Sequence, residues 1–338
     1  MTQAVALAQQ ASTGVSQGFK NRIINGAMVI DQRNAGASVT PVTNGTFTLD
    51  RWSASINVSS KFSVQQDAGS VTPPAGFTDY LGVTSLSAYS IGSSDILAMS
   101  HNIEGLNVAD LGWGTANAKT VTLSFWIRSS LTGTFGGALR NSATSRSYPF
   151  AYTINSANTW EQKSVTVPGD TTGTWLTNND IGIRIAFGLG VGSSNSGTAG
   201  SWSGSNFWSA TGATSVVGTN GATWYLTGVQ FEVGSTATSF DYRPYGTELA
   251  LCQRYYQTYP GIGNGNKALW SSFGASANYV YWVFKTTMRT SPTIAGTTLG
   301  TIDPAAPDAV GAWSVGSNYA AYGWNGSSYG QATATAEL

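Results

Sequence analysis

"VTLSFWIR", residues 121–128, alternates without a break: Val121, Leu123, Phe125 and Ile127 fall on one side, Thr122, Ser124, Trp126 and Arg128 on the other. Successive side chains of a strand point to opposite faces of its sheet, so a period of two predicts one buried face and one wetted face. The same grammar recurs in "IGIRIAFG" (181–188), where Ile181, Ile183, Ile185 and Phe187 oppose Gly182, Arg184 and Ala186. In "WYLTGVQFEVG" (224–234), Val229, Phe231 and Val233 oppose Gln230 and Glu232, which puts Glu232 on the outward face. "KFSVQQ" (61–66) and "EQKSVTVPG" (161–169) add two more candidates. Several such strands separated by long polar turns predict an antiparallel sandwich.

Composition agrees. The 41 Gly, with abundant Ser, Thr and Asn, suit short strands joined by tight turns. Only 9% of the 338 residues are charged, and the 16 basic and 16 acidic side chains cancel. A nucleic-acid partner would call for a basic excess or stripe, and none is visible. Near-zero net charge removes repulsion between copies and favours self-association. The single cysteine, Cys252, excludes an internal disulfide framework and a cysteine-cluster metal site. No apolar run approaches the length of a membrane span, and "MTQAVALAQQASTGVSQGFKNR" (1–22) lacks the features of a signal peptide.

Four segments are expected. Residues 1–20 form an N-terminal anchoring segment in which Ala4, Leu7 and Ala11 fall at helical spacing, so Leu7 is a candidate contact between copies. Residues 21–248 carry the all-β pattern, with a long surface loop at 190–221. Residues 249–260 form a helical linker within "YRPYGTELALCQRYYQTY" (242–259), where "GTELALCQRYY" (246–256) reads as a helix. Residues 261–338 form a small C-terminal β domain that includes "NYVYWVFKTTMRTSP" (278–292). Its strand is apolar on both faces, which leaves greasy surface for copies to cover. Leu251, Tyr255 and Tyr256 of the linker are therefore candidate residues of an oligomer interface.

Motifs for catalysis are weak. "GVSQG" (14–18) matches a nucleophile elbow around Ser16 but lacks the preceding strand and following helix that the chemistry needs. "GLGVG" (188–192) is followed by no helix that would hold a phosphate. His101 is the sole histidine and reads as a surface or strand-end imidazole. Asp50, Glu104, Glu161, Asp180, Glu232 and Asp241 leave a carboxylate pair open, since glycan cleavage needs only two. Asp50-Arg51-Trp52 reads as a local ion pair beside a core tryptophan. No catalytic residue, metal or cofactor is expected. Trp126, Trp160 and Trp224 read as core. Trp202, Phe207 and Trp208 stand in a Gly/Ser loop and are candidate contacts to a glycan or to a neighbouring subunit, because flat aromatic rings suit the apolar faces of sugars.

The series "NRIINGAMVIDQRNAG", "FTLDRW", "NIEGL", "KTVTLSFWIRSS" and "WYLTGVQFEVGSTATSFDYRPYGTELALCQRYYQTY", in this order over about residues 21–259, resembles bacteriophage tail-fibre and virion appendage proteins. The resemblance implies an antiparallel jelly-roll β-sandwich of the kind shared with carbohydrate-binding modules. It further implies a homotrimeric structural protein of the virion that contacts a host-surface glycan; residues 1–20, which lack a fold of their own, are the candidate anchor to other virion proteins. A head fibre or decoration protein without a sugar site, and a glycan depolymerase, are the alternatives.

Overall fold

The computed structural model describes residues 19–259, 278–296, 312–324 and 332–338. Leu7 and Ser16 lie outside them. The strands up to the helix are β1 (Thr46–Leu49), β2 (Trp52–Ile56), β3 (Phe62–Gln66), β4 (Leu81–Ser85), β5 (Ile96–Glu104), β6 (Val121–Ser129), β7 (Gly133–Arg140), β8 (Ser147–Ile154), β9 (Glu161–Val167), β10 (Ile181–Val191), β11 (Ser196–Gly197), β12 (Ser209–Ala210) and β13 (Thr223–Val233). All but β11 and β12, which pair in parallel with each other, form an antiparallel jelly-roll sandwich. One sheet has the order β1-β2-β5-β10-β7-β8, the other β3-β4-β13-β6-β9. Between them lies one hydrophobic core. Phe187 of the first sheet meets Trp52 two strands away in the same sheet, and meets Phe125 and Trp224 across the gap, at ring distances of 6.4, 5.1 and 5.8 Å. Val121, Leu123, Phe125 and Ile127 are all fully buried, as the alternation requires. Burying each such side chain contributes about 1.5–3 kcal/mol.

The opposite face of β6 and β13 is not wetted throughout. Gln230 and Glu232 are buried, which corrects the outward placement of Glu232. The chain leaving β13 folds back over them. Thr238 donates its backbone N–H (2.9 Å) and its hydroxyl (2.6 Å) to the Glu232 carboxylate, and the Asp241 N–H donates to Gln230 Oε1 at 2.8 Å. Val233, at the strand end, is 43% exposed instead.

His101 also departs from expectation. It is buried in the middle of β5, its Nε2 donating to the Ile24 carbonyl at 3.0 Å and its ring 5.0 Å from Trp52. Burial, reinforced by the nearby Arg51 cation, pushes its pKa down to about 3. Nor do Asp50 and Arg51 pair with each other. Asp50 accepts from the Gln32 N–H (2.6 Å) and the Gln32 side chain (2.8 Å), while Arg51 pairs with Glu337 and donates to the Asn102 carbonyl at 2.6 Å.

Helix α1 (Tyr245–Gln253) opens after Pro244, whose carbonyl accepts from the Thr247 and Glu248 N–H groups. It is shorter than the expected 246–256 span, because Tyr256 onward pairs as a strand. That strand is β14 (Tyr256–Tyr259), followed by β15 (Asn278–Val283), β16 (Thr293–Gly296), β17 (Ala312–Val315), β18 (Tyr319–Trp324) and β19 (Ala332–Thr335). β19 pairs with β14 and β16, and β18 with β15 and β17. Cys252 and Tyr255 pack with Ile24, Ile30 and Leu338 in a second cluster, so both ends of the described chain meet at the helix. Tyr255 lies under the Arg51 guanidinium (3.6 Å) and Tyr256 under Arg33 (3.7 Å). Both tyrosines are thus covered within one chain, while Leu251 is half-buried. Among the described residues, no helix is long and apolar enough to cross a membrane.

Candidate functional site

β13 pairs with β4 only over Thr223–Leu226. Past that point its edge is bridged by the chain around Asn21–Gly26. The Arg22 N–H donates to the Phe231 carbonyl and the Val229 N–H to the Gly26 carbonyl, each at 2.9 Å, and the Asn21 side chain donates to the Val229 carbonyl at 3.0 Å. The register of β13 against β6 shifts between Thr227 and Gln230. Gly228 occupies this bulge at φ +59°, and a Cβ there would lie 2.6 Å from the Phe77 ring and 3.0 Å from Trp126. Only glycine takes the left-handed conformation at no cost and lets both rings close over the bulge. Gly228→Ala should therefore lower stability by about 2 kcal/mol and loosen Phe77. An unchanged denaturation midpoint would contradict this.

Phe77 is one wall of an aromatic group. Its ring lies 5.1 Å from Phe240 and 5.5 Å from Tyr242, and Phe240 lies 4.8 Å from Tyr242. With Tyr245, Asp241 and Arg243 these residues line a groove of about 330 Å³. Tyr242 and Tyr245 are 56% and 63% exposed, unusual for rings this size. Partial burial raises the Tyr242 hydroxyl pKa, so it stays a neutral donor. The groove floor is fixed. Asp241 Oδ2 accepts from the Lys20 and Asn21 N–H groups at 2.8 and 3.1 Å. Arg243 donates to the Ile23 carbonyl at 2.9 Å and pairs with Glu248 at 3.1 Å. Past the Ala237–Asp241 segment, Gln162, Lys163, Ser164, Thr238 and Ser239 line a second, polar hollow of about 400 Å³. An aromatic wall beside amides and hydroxyls can stack on the apolar face of a polyhydroxylated ring and bond its edge. Among the described residues, no three His, Cys, Asp or Glu side chains are grouped to hold a metal ion.

The loop residues singled out in the sequence lie elsewhere. Trp202 is half-buried, its indole N–H donating to the Pro168 carbonyl at 2.8 Å and its ring edge-on to Trp113 and Trp175 at 5.4 and 5.5 Å. Phe207 packs against Gly197, where a Cβ would lie 2.2 Å from its ring. Trp208 lies 3.5 Å from the Arg140 guanidinium. Trp224 is core, whereas Trp126 and Trp160 are half-buried, Trp160 against Tyr80 at 5.5 Å. The groove residues Phe77, Phe240 and Tyr242 were not singled out. Their one sequence signal was the spacing of Phe240 and Tyr242 around Asp241 in an aromatic-dense stretch.

No protein-family model matches the chain, and no curated protein matches it. Among solved structures, it is similar to a putative sugar-binding protein from Bacteroides thetaiotaomicron (11% identity, 63% of this chain and 100% of that one, TM-score 0.37). It is similar to the family 11 carbohydrate-binding module of Clostridium thermocellum in complex with a mixed-linked tetrasaccharide (10% identity, 60% and 98%, TM-score 0.30). It is also similar to the enzymatically active domain of bacteriophage CBA120 tailspike protein 4 (11% identity, 58% of this chain, TM-score 0.33), of which it spans only 22%. Identities of 10–11% and TM-scores of 0.30–0.37 leave the site to be argued from this chain's own residues.

Proposed function

We propose that the chain is a virion appendage protein of the tail-fibre kind whose sandwich binds a host-surface glycan without cleaving it. The observation that carries this reading is the aromatic wall of half-buried Phe77 and Phe240 and exposed Tyr242 beside a shelf of amides and hydroxyls. Residues 1–20 would anchor the chain to other virion proteins, 21–248 bind the glycan, 249–260 link, and 261–338 complete the appendage as a small β domain. The assembly would be a homotrimer, with exposed Phe19 and half-buried Leu251, which share a hollow, as its contact on the described surface.

A glycan array with the purified protein tests the reading. Tyr242→Ala should weaken binding at least about tenfold, the value of one lost aromatic contact in such a site. A second reading, a structural component without a sugar site, is favoured by the same exposure of Tyr242 and Tyr245, which a neighbouring copy would cover. On that reading the array is blank, and Tyr242→Ala instead lowers the mass found by light scattering.

A further inference from the structure

Arg140 on β7 and Arg184 on β10 are register partners in the six-stranded sheet. Their neighbours Leu139 and Ile185 fill the core, so both arginines project from the sheet's outer face. Like charges directly opposite on adjacent strands are destabilising. Arg140 is nevertheless 2% exposed, and among the described residues its side chain has neutral partners: its Nε (2.9 Å) and Nη2 both donate to Asn206 Oδ1, and its guanidinium lies over the Trp208 ring. Arg184 is half-buried and its side chain makes no hydrogen bond or ion pair among the described residues, its Nε being buried and unmatched. The Trp208 indole N–H beneath Arg140 is also buried without an acceptor.

Most arginines of the described chain are paired otherwise, and Arg128, which faces no carboxylate, donates to the Asn158 carbonyl at 3.1 Å. Arg33, Arg51, Arg146, Arg243 and Arg254 each face a carboxylate. Here two register-partner cations, one of them stacked on an indole whose N–H is unmatched, have no anion beside them among the described residues. Burial and the adjacent Arg184 push Arg140 down to about 9, and burial lowers Arg184, yet both remain cationic at neutral pH. The loop that brings Asn206 and Trp208 is held to β8. Ser147 and Ser203 exchange backbone hydrogen bonds at 3.0 and 2.8 Å, and the Ser147 hydroxyl donates to the Ser205 carbonyl at 2.6 Å.

We propose that Arg140, Arg184 and the Trp208 indole N–H form a cradle for an oxyanion, the carboxylate or the phosphate ester of an acidic glycan. Cross-strand partners stand about 5 Å apart at their Cα atoms, so an oxyanion paired with the Arg184 guanidinium also lies beside the Arg140 charge, whose Nε and Nη2 stay with Asn206. The glycan as source rests on the function proposed above; the cradle itself does not.

Thermal melts and calorimetric titrations of the full chain at low salt test it, with inorganic sulfate, glucuronate, glucose 6-phosphate and glucose as probes. Sulfate and at least one sugar acid should raise the Tm and glucose should not. Whichever of glucuronate and glucose 6-phosphate binds more tightly tells carboxylate from phosphate. Arg184→Gln removes one of two opposed charges, so without anion it should melt about 2 °C or more above the natural protein. It should also bind the anion at least about tenfold more weakly, as befits the loss of a charge-assisted pair. A response to sulfate alone keeps the cradle and withdraws the glycan as its source. No response to any anion, or an Arg184→Gln protein that melts lower and binds sulfate equally well, overturns the proposal.

Discussion

Glu104→Ala should unfold at a denaturant midpoint corresponding to a loss of about 3 kcal/mol. Glu104 ends β5 and is 1% exposed. Its carboxylate accepts the Arg254 Nε and Nη2 at 3.1 and 2.7 Å and the Tyr255 hydroxyl at 2.6 Å. Removing it leaves a half-buried guanidinium and a buried hydroxyl unmatched, and breaking a buried pair from one side typically costs about 3–5 kcal/mol. The lower figure applies because 29% of the Arg254 side chain is open to solvent. The consequence reaches beyond the pair. Tyr255 packs with Cys252, Ile24 and Leu338, and Arg51 lies over its ring, so this carboxylate ties the sandwich to the last residues of the chain. Glu104→Gln keeps the shape and one acceptor and should lose about half as much. Urea titration of the three proteins decides the matter; a midpoint for the alanine variant within about 1 kcal/mol of the natural one means that the tie does not hold the joint together.

His101→Gln should reverse how the protein responds to acid. Folded His101 binds its proton only near pH 3, whereas an unfolded imidazole titrates near 6.5. As pH falls, the unfolded chain takes up that proton first. The stability contributed by the neutral ring is complete above pH 6.5 and is lost between 6.5 and 3, at about 1.4 kcal/mol per pH unit and about 5 kcal/mol in all. Asp50 has the opposite sign. Burial, against the pull of Arg33, raises its pKa from 3.8 to about 6, so the folded chain binds that proton first and gains stability as pH falls from 6 towards 4. The two contributions offset each other across that interval. Glutamine at 101 keeps a donor for the Ile24 carbonyl and removes the losing member of the pair. The stability difference between variant and natural protein should shift in the variant's favour by about 3 kcal/mol between pH 7 and pH 4. Urea midpoints at pH 7, 5 and 4 measure this, and parallel pH profiles would remove the buried histidine from the account of acid sensitivity.

Much of the sandwich was legible in short windows. Val121, Leu123, Phe125 and Ile127 alternate in sequence and are buried together. The same rule held the answer for His101, which shares its face of β5 with Leu97, Met99 and Ile103. Its polar type argued for the surface, while its position in the alternation placed it in the core. What periodicity does not encode is whether the other face of a strand is covered. Gln230 and Glu232 alternate correctly and are buried all the same, because Thr238 and Asp241 return over them.

Charge pairing and concavity were decided by closure of the chain over long separations. Arg51 stands next to Asp50 in sequence but pairs with Glu337. Phe77 meets Phe240 and Tyr242 only because the Gly228 bulge leaves room for its ring. Strand identity depends on neighbours two residues apart, so the sequence by itself determined an all-β antiparallel fold and most of its core. Which aromatic rings gather at a groove, and which arginines are left without a carboxylate, depends on contacts between residues tens to hundreds of positions apart, and only the tertiary structure decided them.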